Sequence, residues 1–249
     1  MSLCKDCIVV ARHEGTPVGK LETIGGVETY VSIPPEGCEY DKTKAVLFLT
    51  DVFGHRALHA QVDDFAKAGY QTYAPDYLNG DPVSLEEVSR PGFDVSSLNT
   101  NWVPRHKQEH TRPTLDAVIA GLKERGITTF GSTGYCFGGR YGADLAIDNI
   151  VISSVIAHPG FLDVPDFLTL RSVSKAKFLI VSCEDDFSFP LELQAKVDEA
   201  LKGWELYERK FWKGVKHGFA VRADMKDDVA RKAKEEAFVA TVEWFKKSL

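Results

Sequence analysis

The six residues Gly134-Tyr-Cys-Phe-Gly-Gly constrain this chain more than any other stretch. They follow a short strand-like run, Thr129-Phe-Gly-Ser-Thr-Gly, and precede a helical one, Arg140 to Ile147. A Gly-x-nucleophile-x-Gly pattern between strand and helix encodes a turn so tight that Gly134 and Gly138 must keep side chains out of the backbone's path. The residue at its apex is held in a strained conformation beside a helix N-terminus. Here that residue is Cys136, and a helix N-terminus with a nearby base favours the thiolate, the reactive form of the side chain. Cysteine is also among the most buried residue types, so the motif takes its meaning from partners elsewhere in the chain.

The pattern around it is that of alternating strands and helices. Val27-Glu-Thr-Tyr-Val-Ser-Ile alternates and predicts an antiparallel strand that ends at Pro34 and Pro35. The continuous apolar runs Ala45 to Thr50, Val151 to Ala157 and Lys177 to Cys183 predict strands buried on both faces of a parallel sheet. Gln71-Thr-Tyr-Ala adds a short strand and Trp204 to Phe211 an alternating one. Helices are expected over His59 to Ala68, His110 to Gly126, Leu191 to Leu201 and Met225 to Lys247. The result is an α/β fold with a doubly wound, mostly parallel sheet and helices on both faces. No repeat or linker divides the 249 residues, so a single domain is expected over 1–249, with 1–25 as an N-terminal extension. Residues 76–105, rich in Pro, Gly, Asn and Ser, form a long excursion, and long loops in compact domains serve as lids or binding loops.

Catalytic groups in such sheets gather at the carboxyl ends of the strands. The strand ending at Cys183 runs into Glu184-Asp185-Asp186, where an orienting acid belongs; Asp185 is the first choice, with Glu184 and Asp186 open beside it. The strand after it leads to His217, in the last loop before the final helix. A neutral imidazole there can take the thiol proton and return one to a leaving group, while the acid fixes its tautomer. The order Cys136, Asp185, His217 is the nucleophile–acid–base order of the α/β-hydrolase fold. Two backbone donors complete an oxyanion site: the N–H of Phe137, and that of Val52 in the loop Thr50-Asp-Val-Phe-Gly-His. Phe53 and Tyr135 flank these groups and are candidate substrate contacts, as is His158 at another strand's carboxyl end. Asp51 has a second reading as a cap for the helix that follows.

Net charge is −6 with interspersed signs, which argues against a nucleic-acid partner. No apolar run is long enough to span a bilayer, and the first residues lack a signal peptide's apolar stretch. The chain's closing Lys-Ser-Leu permutes the peroxisomal address without matching it. A cytoplasmic location is expected. Five cysteines, an odd number, imply reduced thiols. Cys4 and Cys7 form a Cys-x-x-Cys pair, but no second pair follows to complete a zinc site, so no metal is expected there.

At Asp51-Val-Phe-Gly, Tyr73-Ala-Pro-Asp, Gly134-Tyr-Cys-Phe-Gly-Gly, Cys183-Glu-Asp-Asp and His217-Gly-Phe-Ala the chain resembles the dienelactone hydrolase family, from about Gly26 onward. Cys7 to Gly19 looks like a subgroup of longer, eukaryotic-type members. The resemblance implies a Cys136–Asp185–His217 triad, no cofactor, and carboxymethylenebutenolidase-like hydrolysis of an ester or lactone; a small-molecule substrate and a monomer or homodimer are expected. It departs in two places. Asp51 stands where the best-known members carry a Glu that helps deprotonate the thiol, which makes Asp51 the thiol-activating candidate. Of the two arginines that hold a substrate carboxylate, the first has no counterpart after Asp76, and the second is displaced by one residue to Arg222. A dry carboxylate needs charge-assisted partners, so a broader ester or lactone specificity is expected. Two rivals stand beside hydrolysis: a ligand-binding receptor on the same fold, and a thiol redox sensor with Cys183 as the neighbouring cysteine.

Overall fold

The structure, a computed structural model, describes residues 16–94 and 96–249. Cys4, Cys7 and most of the expected N-terminal extension lie outside the described residues. Eight strands form one sheet: β1 Lys20–Ile24, β2 Val27–Ser32, β3 Lys44–Leu49, β4 Thr72–Pro75, β5 Thr129–Tyr135, β6 Ser153–Ala157, β7 Lys177–Asp185 and β8 Tyr207–Lys216. Their spatial order is β1-β2-β4-β3-β5-β6-β7-β8. The β1–β2 hairpin joins β4 antiparallel, and every pairing from β4 through β8 is parallel.

Side chains of β3 show how the sheet is sandwiched. Leu47 and Leu49 enter one apolar cluster, Val46 and Phe48 the other, as the two-residue period of a strand requires. The first cluster is closed by α4 Gln108–Glu124, α5 Phe137–Ile147, α6 Val164–Val173 and α7 Leu191–Ala200, through Leu115, Tyr141, Phe167 and Val197. The second is closed by α1 His59–Lys67 and α9 Asp228–Ser248, through Val62, Phe65 and Phe245. Asp227 caps α9 by accepting from the N–H groups of Val229 and Ala230. Burying each such side chain contributes about 1.5–3 kcal/mol, so the two faces of the sheet carry most of the stabilisation.

The expected loop excursion over 76–105 is instead partly helical. It contains α2 Leu85–Val88, α3 Ser97–Asn101 and a 3-10 turn at Val103–His106. Tyr77, Leu78, Val83, Val88 and Trp102 are buried with the core. Trp102 meets the ring of Phe137 edge-on at 5.4 Å, so the excursion roofs the start of α5. β1, α6 and the short α8 Phe219–Arg222 are further elements the sequence reading did not anticipate.

Candidate active site

Cys136 sits between the end of β5 and the first residue of α5, with φ 51° and ψ −110°. This left-handed position is rare for a residue with a side chain, and such strain clusters at functional sites. The surroundings over-determine it. The Cys136 N–H donates to the Ala157 carbonyl at 3.1 Å, and its own carbonyl accepts from Gly139 and Gly160 at 3.0 and 2.9 Å. A Cβ on Gly134 would lie 2.3 Å from the Gly138 carbonyl oxygen, and one on Gly138 2.1 Å from that of Leu49. The glycines of the motif therefore allow the turn to close on itself and let α5 press against the end of β3. That second approach brings Phe137, the first residue of α5, beside the loop that carries Val52.

His217 follows β8 and is buried, and its Nδ1 lies 2.8 Å from a carboxylate oxygen. That carboxylate belongs to Asp186, not to Asp185, the first choice from sequence. Asp185 is exposed and contributes its backbone, the carbonyl accepting from the His217 N–H at 2.8 Å. The reason is a break in strand phase: β7 and β8 lose register between Cys183 and Asp185, where Cys183 faces Trp212 but Asp185 faces Lys216. Glu184 is turned to accept from the Gly214 N–H. Asp186 Oδ1 also accepts from the N–H groups of Ser188 and Phe189, each at 2.9 Å. Burial pushes the Asp186 carboxyl up, but His217 beside it and the Phe189 N–H outweigh this and hold it below the usual carboxylate range. Because a carboxylate only accepts, the proton of the pair sits on His217 Nδ1, and Nε2 is the basic nitrogen.

Ser188 is a site residue that the sequence reading missed. Its Oγ lies 3.0 Å from both Asp186 Oδ1 and the Pro159 carbonyl, and 3.2 Å from His217 Nδ1. Since Gly160 holds the Cys136 carbonyl, the turn His158-Pro159-Gly160 connects the thiol's turn to the acid's loop. The signal was present as a short polar side chain two residues after an aspartate, a local turn-forming pattern.

The substrate-contact candidates separate. Tyr135 is buried against Phe48, with its hydroxyl on Thr133 and Gln61, so it is a core residue and not a pocket wall. His158 is fully buried at φ 37°, its ring 4.9 Å from that of His217. Burial, with His217 adding to it, brings its pKa down to about 3, so its ring is neutral at neutral pH. Asp51 and Arg222 form a buried ion pair, and the Arg222 guanidinium lies 4.8 Å over the Phe53 ring. Asp51 Oδ1 accepts from the Phe53 N–H, which makes it a brace for the Val52 loop instead of a cap for α1. A cleft of about 490 Å³ opens beside these groups, walled by His217, Phe219 and Arg222 and rimmed by Glu184, Asp185 and Asp224.

A strained turn at the end of β5, a buried Asp–His pair from β7 and β8, and a mostly parallel eight-stranded sheet define an α/β-hydrolase. The comparisons with known proteins narrow the class. The dienelactone hydrolase family profile matches residues 27–249, and the chain belongs to that family. It is 34% identical over 250 residues to the hydrolase tropI of Talaromyces stipitatus, covering 96% of this chain and 94% of that one. It is 32% identical to the hydrolase pyvD of Aspergillus violaceofuscus, over 98% and 96% of the two chains. To dienlactone hydrolase 1 of Gibberella moniliformis it is 30% identical, over 96% and 91%. Among solved structures, a dienelactone hydrolase family member from Klebsiella pneumoniae superposes with a TM-score of 0.74 at 16% identity, covering 92% of this chain and 98% of that one. No helix among the described residues is long and apolar enough to cross a membrane.

Proposed function

We propose that this chain hydrolyses a small carboxylic ester or lactone, with Cys136 as nucleophile, His217 as general base and Asp186 as the acid that orients it. The observation that carries this reading is the buried Asp186–His217 pair, joined through Ser188, Pro159 and Gly160 to the strained turn of Cys136. His217 Nε2 takes the thiol proton, and the thiolate attacks the carbonyl carbon. The oxyanion that forms is met by the N–H groups of Phe137 and Val52. The alcohol leaves, or the lactone ring opens, with a proton returned from His217, and a thioester remains on Cys136. Water deprotonated by His217 then releases the acid and restores the thiol. Arg222, bonded to Asp51 and stacked on Phe53, is, with Lys216, a cationic side chain on the cleft wall that could face a polar substrate arm.

The redox reading has less support. Cys183 is buried, burial and then the nearby aspartates push its thiol well up, and its Sγ lies 3.8 Å from Asp186 Oδ2 as a donor. A resolving thiol needs access and thiolate character.

An intact-mass time course with p-nitrophenyl acetate tests the mechanism. Wild type should release nitrophenol and pass through an acetyl adduct, and Cys136→Ala should show neither while keeping its thermal transition. Turnover by Cys136→Ala at the wild-type rate overturns the assignment.

A further inference from the structure

A second cluster of ionisable groups lies on the far side of the Val52 loop, at the carboxyl end of β4. Glu28 of β2, His55 of the 3-10 turn His55–Leu58 and Asp76, just past β4, each place a ligand atom within 4.8 Å of the others. The backbone fixes this arrangement: the Asp76 N–H donates to the Glu28 carbonyl at 2.8 Å. One oxygen of the Asp76 side chain is held by the Gly80 N–H at 3.0 Å, which aims the carboxylate. His55 is 2% exposed, and its Nε2 faces Glu28 Oε1 at 3.6 Å, beyond hydrogen-bond reach. Its Nδ1 lies 2.8 Å from His59 Nε2, and His59 is stacked on Tyr30 with ring centroids 3.6 Å apart.

These features suit a cation better than a set of mutual hydrogen bonds. Glu28 and Asp76 set two carboxylates, which repel one another, beside one imidazole. With Nδ1 engaged by His59, His55 presents Nε2 toward Glu28 as the ring's ligand atom. Two ligand atoms bound tetrahedrally to zinc at about 2.1 Å stand about 3.4 Å apart, close to the observed separation of His55 Nε2 and Glu28 Oε1. An imidazole with two carboxylates selects a first-row divalent ion over magnesium or calcium, which take oxygen. His59 behind His55 has the place of the outer partner that orients a ligating imidazole. The guanidinium of Arg56 rests on Glu28 from a side chain that is two-thirds exposed, and so can swing away.

We propose that Glu28, His55 and Asp76 form a binding site for a zinc-like divalent cation that ties the Val52 loop to the edge of the sheet. His55 is three residues beyond Val52, so the ion positions the loop and takes no part in bond breaking.

Equilibrium dialysis of the full chain against Zn²⁺ at pH 7, with metal counted per chain, tests it beside a thermal melt with and without zinc. Wild type should hold one more zinc than Glu28→Gln or His55→Gln, with affinity lowered at least about 10-fold in each variant, and only wild type should melt higher with zinc. Arg56→Ala removes the competing cation and should bind zinc several-fold more tightly. If His55→Gln does not fold, Glu28→Gln, at a partly exposed residue, carries the comparison. Zinc held equally by wild type and both ligand variants would put the metal on thiols and overturn the site. So would an Arg56→Ala protein that is less stable and binds no zinc, since the cluster would then be an ion pair alone.

Discussion

Asp185 and Asp186 are neighbours in sequence, and the structure places them in different environments: the first exposed, the second buried on His217. Converting the second to Asn leaves the shape but replaces a charged group that only accepts with a neutral amide that also donates, so the tautomer with its proton on Nδ1 is no longer enforced. Asp186→Asn should therefore lower kcat by roughly 10⁴, the scale seen when a triad acid becomes an amide. Asp185→Asn should stay within a few-fold, because its contribution to His217 comes from its backbone carbonyl. Steady-state rates on one ester decide between them, and equal losses would sink the distinction. The sequence could bring the acid no nearer than a choice of three. The turns that carry Cys136 and His217 were legible because glycine spacing and the following Gly-Phe mark them. The acid was not, because alternation along a strand predicts facing only while register holds, and it fails between Cys183 and Asp185. The burial of Tyr135 and His158 was not legible for a related cause: proximity in sequence to a nucleophile says nothing about which side of the sheet a ring enters.

Elements with a strong period were read correctly in kind. β3, β6 and β7 were visible as mainly apolar runs, and α4 as Leu115, Val118, Ile119 and Leu122 on one face, despite Pro113 within it. α6 was not visible because Leu168 and Val173 are half exposed while Phe167 and Leu170 are buried, which blurs its apolar stripe. β1 is an edge strand with only Ile24 buried, so little apolar pattern marks it. The contact between α5 and β3 is the tightest of the inter-element approaches at the site. Gly138→Ala would put a methyl group where the Leu49 carbonyl stands and force α5 outward. The expected outcome is a loss of about 1–3 kcal/mol, typical of overpacking, together with most of the esterase rate, since Phe137 would part from the Val52 loop. A urea melt and a rate assay on the same sample check both. A stable Gly138→Ala enzyme of full activity would show that the approach is not needed.

Across the molecule, buried imidazoles set an acid limit. His158 and His55 titrate at about 3 and about 4 in the fold, against 6.5 when unfolded. Between these values the unfolded chain holds more protons, so stability is complete above pH 6.5 and declines as pH falls toward 4. Asp186, with its folded value depressed, loses its contribution in the same direction at lower pH. Each proton taken up is worth about 1.4 kcal/mol per pH unit. Urea unfolding at pH 7 and pH 5 should give a markedly lower free energy at pH 5, and a flat profile would mean that these rings are not held neutral. The topology has a further consequence. Asp51, Cys136, Asp186 and His217 are supplied by the ends of β3, β5, β7 and β8, whose pairings are made by backbone alone. The excursion over 76–105 leaves and rejoins this frame between β4 and α4 without entering any strand pairing between β3 and β8, yet reaches Phe137 through Trp102. Frame and excursion are therefore separable: substitutions within 76–105 that keep Trp102 on Phe137 leave untouched the strand pairings that place Cys136, Asp186 and His217.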